Sequence, residues 1–97
     1  MDKNFIIRGI AEKIKPILLA GGVKRSAIFG SFARGEEMEN SDIDMLVELE
    51  GGKSLLDLVD LQFQLEKILG RPVDLITFKA LHPLLRENVA KEMVFIF

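Results

Sequence analysis

Two aspartates stand two residues apart in the segment Ser-Asp-Ile-Asp, at Asp42 and Asp44. If this segment opens a strand, both carboxylates leave the same face, with Cα atoms about 6 to 7 Å apart. Carboxylates placed so closely repel one another unless a cation lies between them, and their oxygen atoms suit Mg²⁺. Two such ions can hold the attacking and leaving oxygens of a phosphoryl or nucleotidyl displacement. Taken alone, such a pair is more typical of the end of a turn, where aspartate is common.

A glycine and a serine precede the aspartates, at Gly30 and Ser31. A strand that ends in Gly-Ser before a short helix directs backbone N–H groups and a hydroxyl into one concave space, which suits a phosphate group. Glycine also lets the backbone approach the ligand closely. Arg34 can add a charge-assisted contact to the same phosphates. The other interpretation of Arg34 is an ordinary solvated surface arginine.

A third carboxylate, Asp74, lies in the segment Val-Asp-Leu-Ile-Thr. If this strand neighbours the strand of Asp42 and Asp44, all three carboxylates converge. Asp74 is then a metal ligand and a candidate base for an incoming hydroxyl. The alternative is a polar residue on the solvent side of an edge strand.

The elements that must position these residues follow from hydrophobic periodicity and from turn residues. From residue 42 onward the pattern alternates, so one face of the strand is predicted to be buried and the face of Asp42 and Asp44 to be the working face. Pro16 is expected to kink or end the first helix. The predicted helices cover residues 5–18, 32–35, 55–69 and 81–90, and the predicted strands cover residues 23–29, 42–49, 73–78 and 93–97. Apart from the short helix at 32–35, the order is α-β-β-α-β-α-β, which predicts an α/β (α+β) fold with a small mixed β-sheet flanked by helices.

Size and composition restrict the function classes. The 97 residues, 1–97, are predicted to form a single domain. The formal net charge of −2 argues against broad nucleic-acid binding, which relies on a basic face. The chain has no cysteine, which excludes a disulfide framework and fits a cytoplasmic location. We identify neither a targeting segment nor an apolar stretch long enough to span a membrane.

The segment from Leu55 to Leu69 carries more apolar residues than one surface helix usually buries. One interpretation is a fully covered central helix. The other is an interface with a second copy of the chain, giving a homodimer, or with a partner protein. His82, the only histidine, is predicted to cap or flank the last helix.

Together the motifs resemble a known family. Gly-Ser, ten residues and Asp-x-Asp, with a further aspartate on a later strand, resemble the nucleotidyltransferase superfamily typified by DNA polymerase β. The sequence GSFARGE…SDIDMLV is similar to that of the minimal nucleotidyltransferases, or MNT proteins, which include the antitoxin partners of HEPN-domain toxins. Gly30 and Ser31 match the nucleotide-phosphate turn of the family, and the three aspartates match its metal carboxylates. Arg34 matches a position that is often basic in the minimal members.

The resemblance implies a nucleotidyltransferase of the EC 2.7.7 class. We expect a Mg²⁺-dependent enzyme, with two ions, that transfers AMP from ATP to a hydroxyl on a HEPN-type partner protein, acting as the antitoxin of a toxin–antitoxin pair. Gly30, Ser31 and Arg34 are then nucleotide-binding, and Asp42, Asp44 and Asp74 are the catalytic and metal-binding residues. A separate domain that positions the acceptor is expected to come from elsewhere.

Two alternatives stay open. The chain can be a non-catalytic binding module that neutralises a partner by complex formation, with a vestigial nucleotide site. It can also transfer the nucleotide to a small molecule or an RNA end after assembly with an acceptor-binding subunit, although the acidic balance disfavours RNA.

Overall fold

The computed structural model describes residues 3–97, with side chains from Phe5 onward. Helices and strands alternate along most of the chain. In order they are α1 (Lys3–Ala20), β1 (Val23–Phe29), α2 (Ser31–Arg34), β2 (Ile43–Leu49), α3 (Leu55–Leu69), β3 (Val73–Thr77), a 3₁₀ turn (Phe78–Ala80), α4 (Pro83–Glu92) and β4 (Val94–Phe95). The predicted mixed fold is confirmed.

The four strands form one mixed sheet in the order β3-β2-β1-β4. Strand β1 pairs antiparallel with both β2 and β4, whereas β2 and β3 are parallel. The parallel pair needs a crossover connection, and α3 provides it. This topology places β2, which carries Asp44, in the interior of the sheet with β3 directly beside it.

Helices α1 and α3 cover one face of the sheet. The buried residues of this main core come from both helices and from the strands, and include Ile14, Leu18, Met45, Val47 and Leu65. The alternate residues of β2 predicted to face a core therefore do so. Burial of such side chains is the main stabilising contribution to a domain of this size.

The opposite face of the sheet, on which Asp44 lies, is also covered, as expected for a sheet flanked by helices. Leu46 shares this face with Asp44 and is only 1% exposed. It belongs to a second core that also contains Leu81 and Val89, with Met93 packed against it. Helix α4 thus covers the middle of this face and leaves the carboxylates at the end of β2.

Element boundaries depend on how strongly the sequence marks them. Helix α3 has the predicted bounds because Ser54 and Asp57 form a capping box before it and Gly70 adopts a left-handed conformation after it. Helix α1 continues past Pro16 to Ala20, so the proline does not end the helix. His82 caps α4 through its Nδ1 atom, which accepts the N–H of Leu84, as predicted.

Several apolar side chains of α3 remain in solvent. Leu55, Leu56 and Phe63 are 73%, 78% and 64% exposed, and Val59 lies on the same side of the helix. These four residues, called here the outer stripe of α3, rule out a fully covered central helix. No helix among residues 3–97 has both the length and the apolar content needed to cross a lipid bilayer.

Candidate active site

A tight turn connects the end of β1 to α2. Gly30 follows Phe29 with φ 73° and ψ −149°, a conformation in which side chains are strained. A Cβ atom at this position would overlap Oδ2 of Asp44 and lie 3.0 Å from its Cγ atom. Two features therefore require glycine at position 30: the positive φ angle of the backbone and the close approach of the Asp44 carboxylate.

Two aspartates face each other on neighbouring strands. Asp44 on β2 pairs in register with Asp74 on β3, and adjacent strands lie about 4.8 Å apart. Asp42 stands two residues before Asp44, just outside β2, at the end of the loop that follows α2. Asp44 is half-buried, whereas Asp42 and Asp74 are exposed. The structure therefore places Asp44 beside Asp74, with Asp42 two residues away at the same end of β2.

The electrostatics of the group centre on Asp44. Burial raises the pKa of the Asp44 carboxyl above its ordinary value, and the negative charges of Asp74 and Asp42 raise it further. The positive charge of Arg34 acts in the opposite direction. A cation bound among these carboxylates would relieve both the burial cost and the mutual repulsion.

The donor set suits a hard cation with an incomplete protein shell. Among the side chains that the structure describes, no three histidine, aspartate or glutamate residues are close enough to enclose a metal ion by themselves. Mg²⁺ does not need such a cage, since it is usually bound by one or two carboxylates together with water and substrate phosphates. Asp44 with Asp74 or Asp42 fits that requirement.

Ser31 and Arg34 mark the two ends of α2. Ser31 is half-buried beside Gly30, and its carbonyl accepts the N–H of Glu36 at 2.8 Å. Arg34 is exposed and forms two ion pairs. Its Nε donates to Glu36 at 3.1 Å and its Nη1 donates to Glu92 at 3.1 Å. Hydrogen bonds to Glu92 and then Glu36 raise the pKa of the Arg34 guanidinium, which stays charged.

Sequence reasoning missed Glu92. Its Oε1 atom accepts the N–H of Gly30 at 3.1 Å, so one carboxylate joins both the glycine turn and Arg34. The predicted last helix ended two residues earlier, which left Glu92 outside any element. A signal was available, because a glutamate at the C-terminal end of a helix is disfavoured by the helix dipole and needs another reason to be there.

Comparisons with known proteins show the family of the chain. The model of the nucleotidyltransferase domain family matches residues 7–96. The protein MJ0435 of Methanocaldococcus jannaschii, provisionally named a protein adenylyltransferase, is 56% identical over 91% of this chain and 95% of its own length. The protein adenylyltransferase MntA of Thermococcus cleftensis is 40% identical over 88% of this chain and 94% of its own.

Solved structures share the fold. One, provisionally named a minimal nucleotidyltransferase, superposes with a TM-score of 0.80 at 40% identity, over 97% of this chain and 95% of the other. A toxin–antitoxin structure with AMP-PNP gives 0.78 at 24% identity, over 90% and 72%. A Shewanella oneidensis complex of a tri-AMPylated HEPN toxin with its MNT antitoxin gives 0.72 at 20% identity, over 93% and 71%. By its sequence and its fold, the chain belongs to the nucleotidyltransferase domain family and is an enzyme of that class, related to the protein adenylyltransferases.

Proposed function

We propose that the chain transfers AMP from ATP to a hydroxyl group on a HEPN-type partner protein, with Mg²⁺ as cofactor, and acts as the antitoxin of that partner. The observation that carries the proposal is the register of Asp44 opposite Asp74, with the Gly30 turn packed directly against Asp44. The arrangement supports the proposal because a nucleoside triphosphate and its metal require carboxylates and nearby N–H donors.

Each residue then has a role that follows from its position. Asp42, Asp44 and Asp74 would hold the metal ions. Mg²⁺ would supply positive charge against the charge that develops on the phosphates during transfer. Asp74 is exposed, so the acceptor hydroxyl can reach it and leave its proton on the carboxylate.

The phosphates need donors on the other side of the site. The N–H of Gly30 already donates to an anionic oxygen, Oε1 of Glu92. Ser31 adds a hydroxyl next to it, and Arg34 adds a guanidinium with a permanent charge. These three residues are proposed to hold the β and γ phosphates, so that pyrophosphate leaves along the turn.

The partner is proposed from two independent supports. The structures that share the fold include a tri-AMPylated HEPN toxin bound to its MNT antitoxin. The outer stripe of α3 gives this chain an exposed apolar surface on the helix that connects the two carboxylate strands. Apolar patches of this kind mark protein interfaces.

The experiment uses the purified protein, its Asp44→Asn variant and an Asp60→Asn control, which removes an exposed carboxylate of α3. Each is incubated with Mg²⁺ and α-labelled ATP in lysate of the source organism. We expect label on a discrete protein band with the wild type and with Asp60→Asn, and none with Asp44→Asn. Circular dichroism checks that Asp44→Asn is folded.

Other outcomes select the alternatives. Label that appears only in RNA or in the acid-soluble fraction would replace the protein acceptor by a different one. A complete lack of label, with a small partner still co-purifying with all three proteins, would favour a binding module with a vestigial nucleotide site. Full labelling by Asp44→Asn would contradict the assignment of the carboxylates.

A further inference from the structure

Glu92 bridges two groups that the proposed function assigns to phosphate. Its two carboxylate oxygens accept from the Gly30 N–H and from Arg34 Nη1, both at 3.1 Å. The side chain is 22% exposed, so the contact is shielded but reachable from solvent. A carboxylate that accepts a backbone N–H and a guanidinium N–H together resembles, in charge and in geometry, one edge of a bound phosphate.

The position of Glu92 in its helix gives no other reason for a glutamate. It is the last residue of α4, where the partial negative charge of the helix end disfavours an acidic side chain. The favourable interactions of Glu92 are therefore those with Gly30 and Arg34.

The donors cannot serve two anions at once. An N–H group donates fully to one acceptor, and Gly30 has a single N–H. Arg34 has further donors, but its Nε already binds Glu36 at 3.1 Å. A phosphate that binds the Gly30 turn must take the place of the Glu92 carboxylate.

We propose that Glu92 is an internal anion that occupies the phosphate donors of the site, and that a nucleoside triphosphate binds by displacing it. This inference rests on the proposed function, because it takes Gly30 and Arg34 as the phosphate donors. Only the side chain has to turn away. The end of α4 stays in place, since Val89 is buried in the second core and Met93 packs against it.

The exchange makes the site selective for polyphosphates. A triphosphate offers several oxygens to the turn and to Arg34, and it brings its own metal, so it can outcompete one carboxylate. A monophosphate held at the aspartates reaches the Gly30 turn less well and gains less from the removal of Glu92. Glu92 therefore lowers the affinity for all nucleotides that use the turn and prevents other small anions from occupying it.

The test compares Glu92→Gln with the wild type and with Glu87→Gln. Glutamine keeps the shape of the side chain but lacks the charge. Glu87 lies on the same helix, is 83% exposed and pairs only with Lys91 in the described contacts, so its variant controls for loss of one negative charge. Binding of ATP, AMP and inorganic tripolyphosphate is measured by calorimetry in Mg²⁺.

We expect Glu92→Gln to bind ATP and tripolyphosphate about tenfold more tightly than the wild type, as for the loss of one competing charge-assisted hydrogen bond. AMP affinity should change by less than about twofold, and Glu87→Gln should match the wild type for all three probes. Unliganded Glu92→Gln should unfold at a lower temperature, and ATP should raise that temperature more than in the wild type. If Glu92 had only a structural role, Glu92→Gln would lower the unfolding temperature, but ATP would not raise that temperature more than in the wild type.

The outcomes separate this inference from the proposed function. If the wild type binds ATP and Glu92→Gln binds it equally or more weakly, the inference is overturned and the proposed function stands. If neither binds ATP or tripolyphosphate, the phosphate site is wrong and both fail. Should Glu92→Gln not fold, Glu92→Asp keeps the charge but draws the carboxylate back by one methylene group. It is expected to tighten ATP binding, and unchanged or weaker binding would overturn the inference.

Discussion

At the scale of single residues, the site is built on contacts that allow little change. The carboxylate of Asp44 fills the space where any residue other than glycine at position 30 would place its Cβ atom. The aspartates and the Gly-Ser pair could be predicted because their types and spacing are unusual. Glu92 was missed because its partners lie far away in the sequence and its one local signal, an acidic residue at a helix end, requires the correct end of α4.

The first prediction concerns Gly30→Ala. The added methyl group meets Asp44, and alanine is strained at a φ of 73°, so we expect a loss of about 1–3 kcal/mol in the free energy of unfolding. Displacement of Asp44 should also remove most nucleotidyl transfer. Gly51→Ala is the control, since a Cβ there meets nothing within 4 Å and φ is not positive. Urea unfolding and the labelling assay give the two readouts, and equal stability of both variants would contradict the interpretation.

The second prediction follows from the raised pKa of Asp44, whose ordinary value is 3.8. Between that value and the raised one, the folded protein binds more protons than the unfolded chain, so the free energy of unfolding falls as the pH rises. The destabilisation is fully present above the raised pKa and absent below the ordinary one. Asp44→Asn lacks it and should be more stable than the wild type near neutral pH.

The difference in free energy of unfolding between Asp44→Asn and the wild type should decrease as the pH falls toward 3.8. The measurement is urea unfolding of both proteins across this range, in EDTA so that no divalent ion masks the repulsion. A stability difference that stays constant with pH would show that Asp44 titrates normally.

At the scale of elements, boundaries could be predicted where side chains mark them. Helix α3 begins and ends as expected because Ser54, Asp57 and Gly70 are local stop and start signals. Helix α4 is displaced from its expected range because Pro83 fixes its first turn and no glycine ends it. That α4 is the helix over Leu46 could not be predicted, since a pattern of alternation does not tell which helix packs on which face.

The third prediction concerns α1. Gly9 lies in the interior of this helix, and a Cβ there meets nothing within 4 Å. Gly9→Ala should therefore raise the free energy of unfolding by about 0.5–1 kcal/mol, because alanine loses less backbone entropy on folding. Gly52→Ala, at a φ of 90°, should instead lower it. Thermal unfolding of the two variants checks both signs.

At the scale of the whole molecule, the candidate active site and the proposed partner surface lie on different parts of the protein. One end of the sheet carries the carboxylates and the Gly30 turn, whereas the outer stripe of α3 lies on the helical layer that covers the main core. The excess of apolar residues in this segment was visible in the sequence, but which of them stay exposed depends on the packing of α1 against α3.

The fourth prediction concerns this stripe. Leu56→Glu with Phe63→Glu should leave the unfolding temperature within about 2 °C of the wild type, since both side chains are exposed. Co-purification of the partner should be lost, because a charge in an apolar interface is costly to desolvate. Lys13→Glu, an exposed change on α1, is the control. If the outer stripe is the interface of a homodimer, sedimentation should show that the double variant is a monomer. A partner complex that survives both substitutions would show that the interface lies elsewhere.

The hydrogen bond between Gly30 and Glu92 has a consequence for the order of folding. It joins residues 62 positions apart, whereas Asp44 meets the end of β1 across a short loop. Closing a long loop costs more chain entropy, and this cost is offset by favourable contacts only after the intervening strands have paired. Strands β1 to β3 and their carboxylates should therefore assemble first, with the phosphate donors still open. Glu92 should reach these donors among the last native contacts, together with the pairing of β1 with β4.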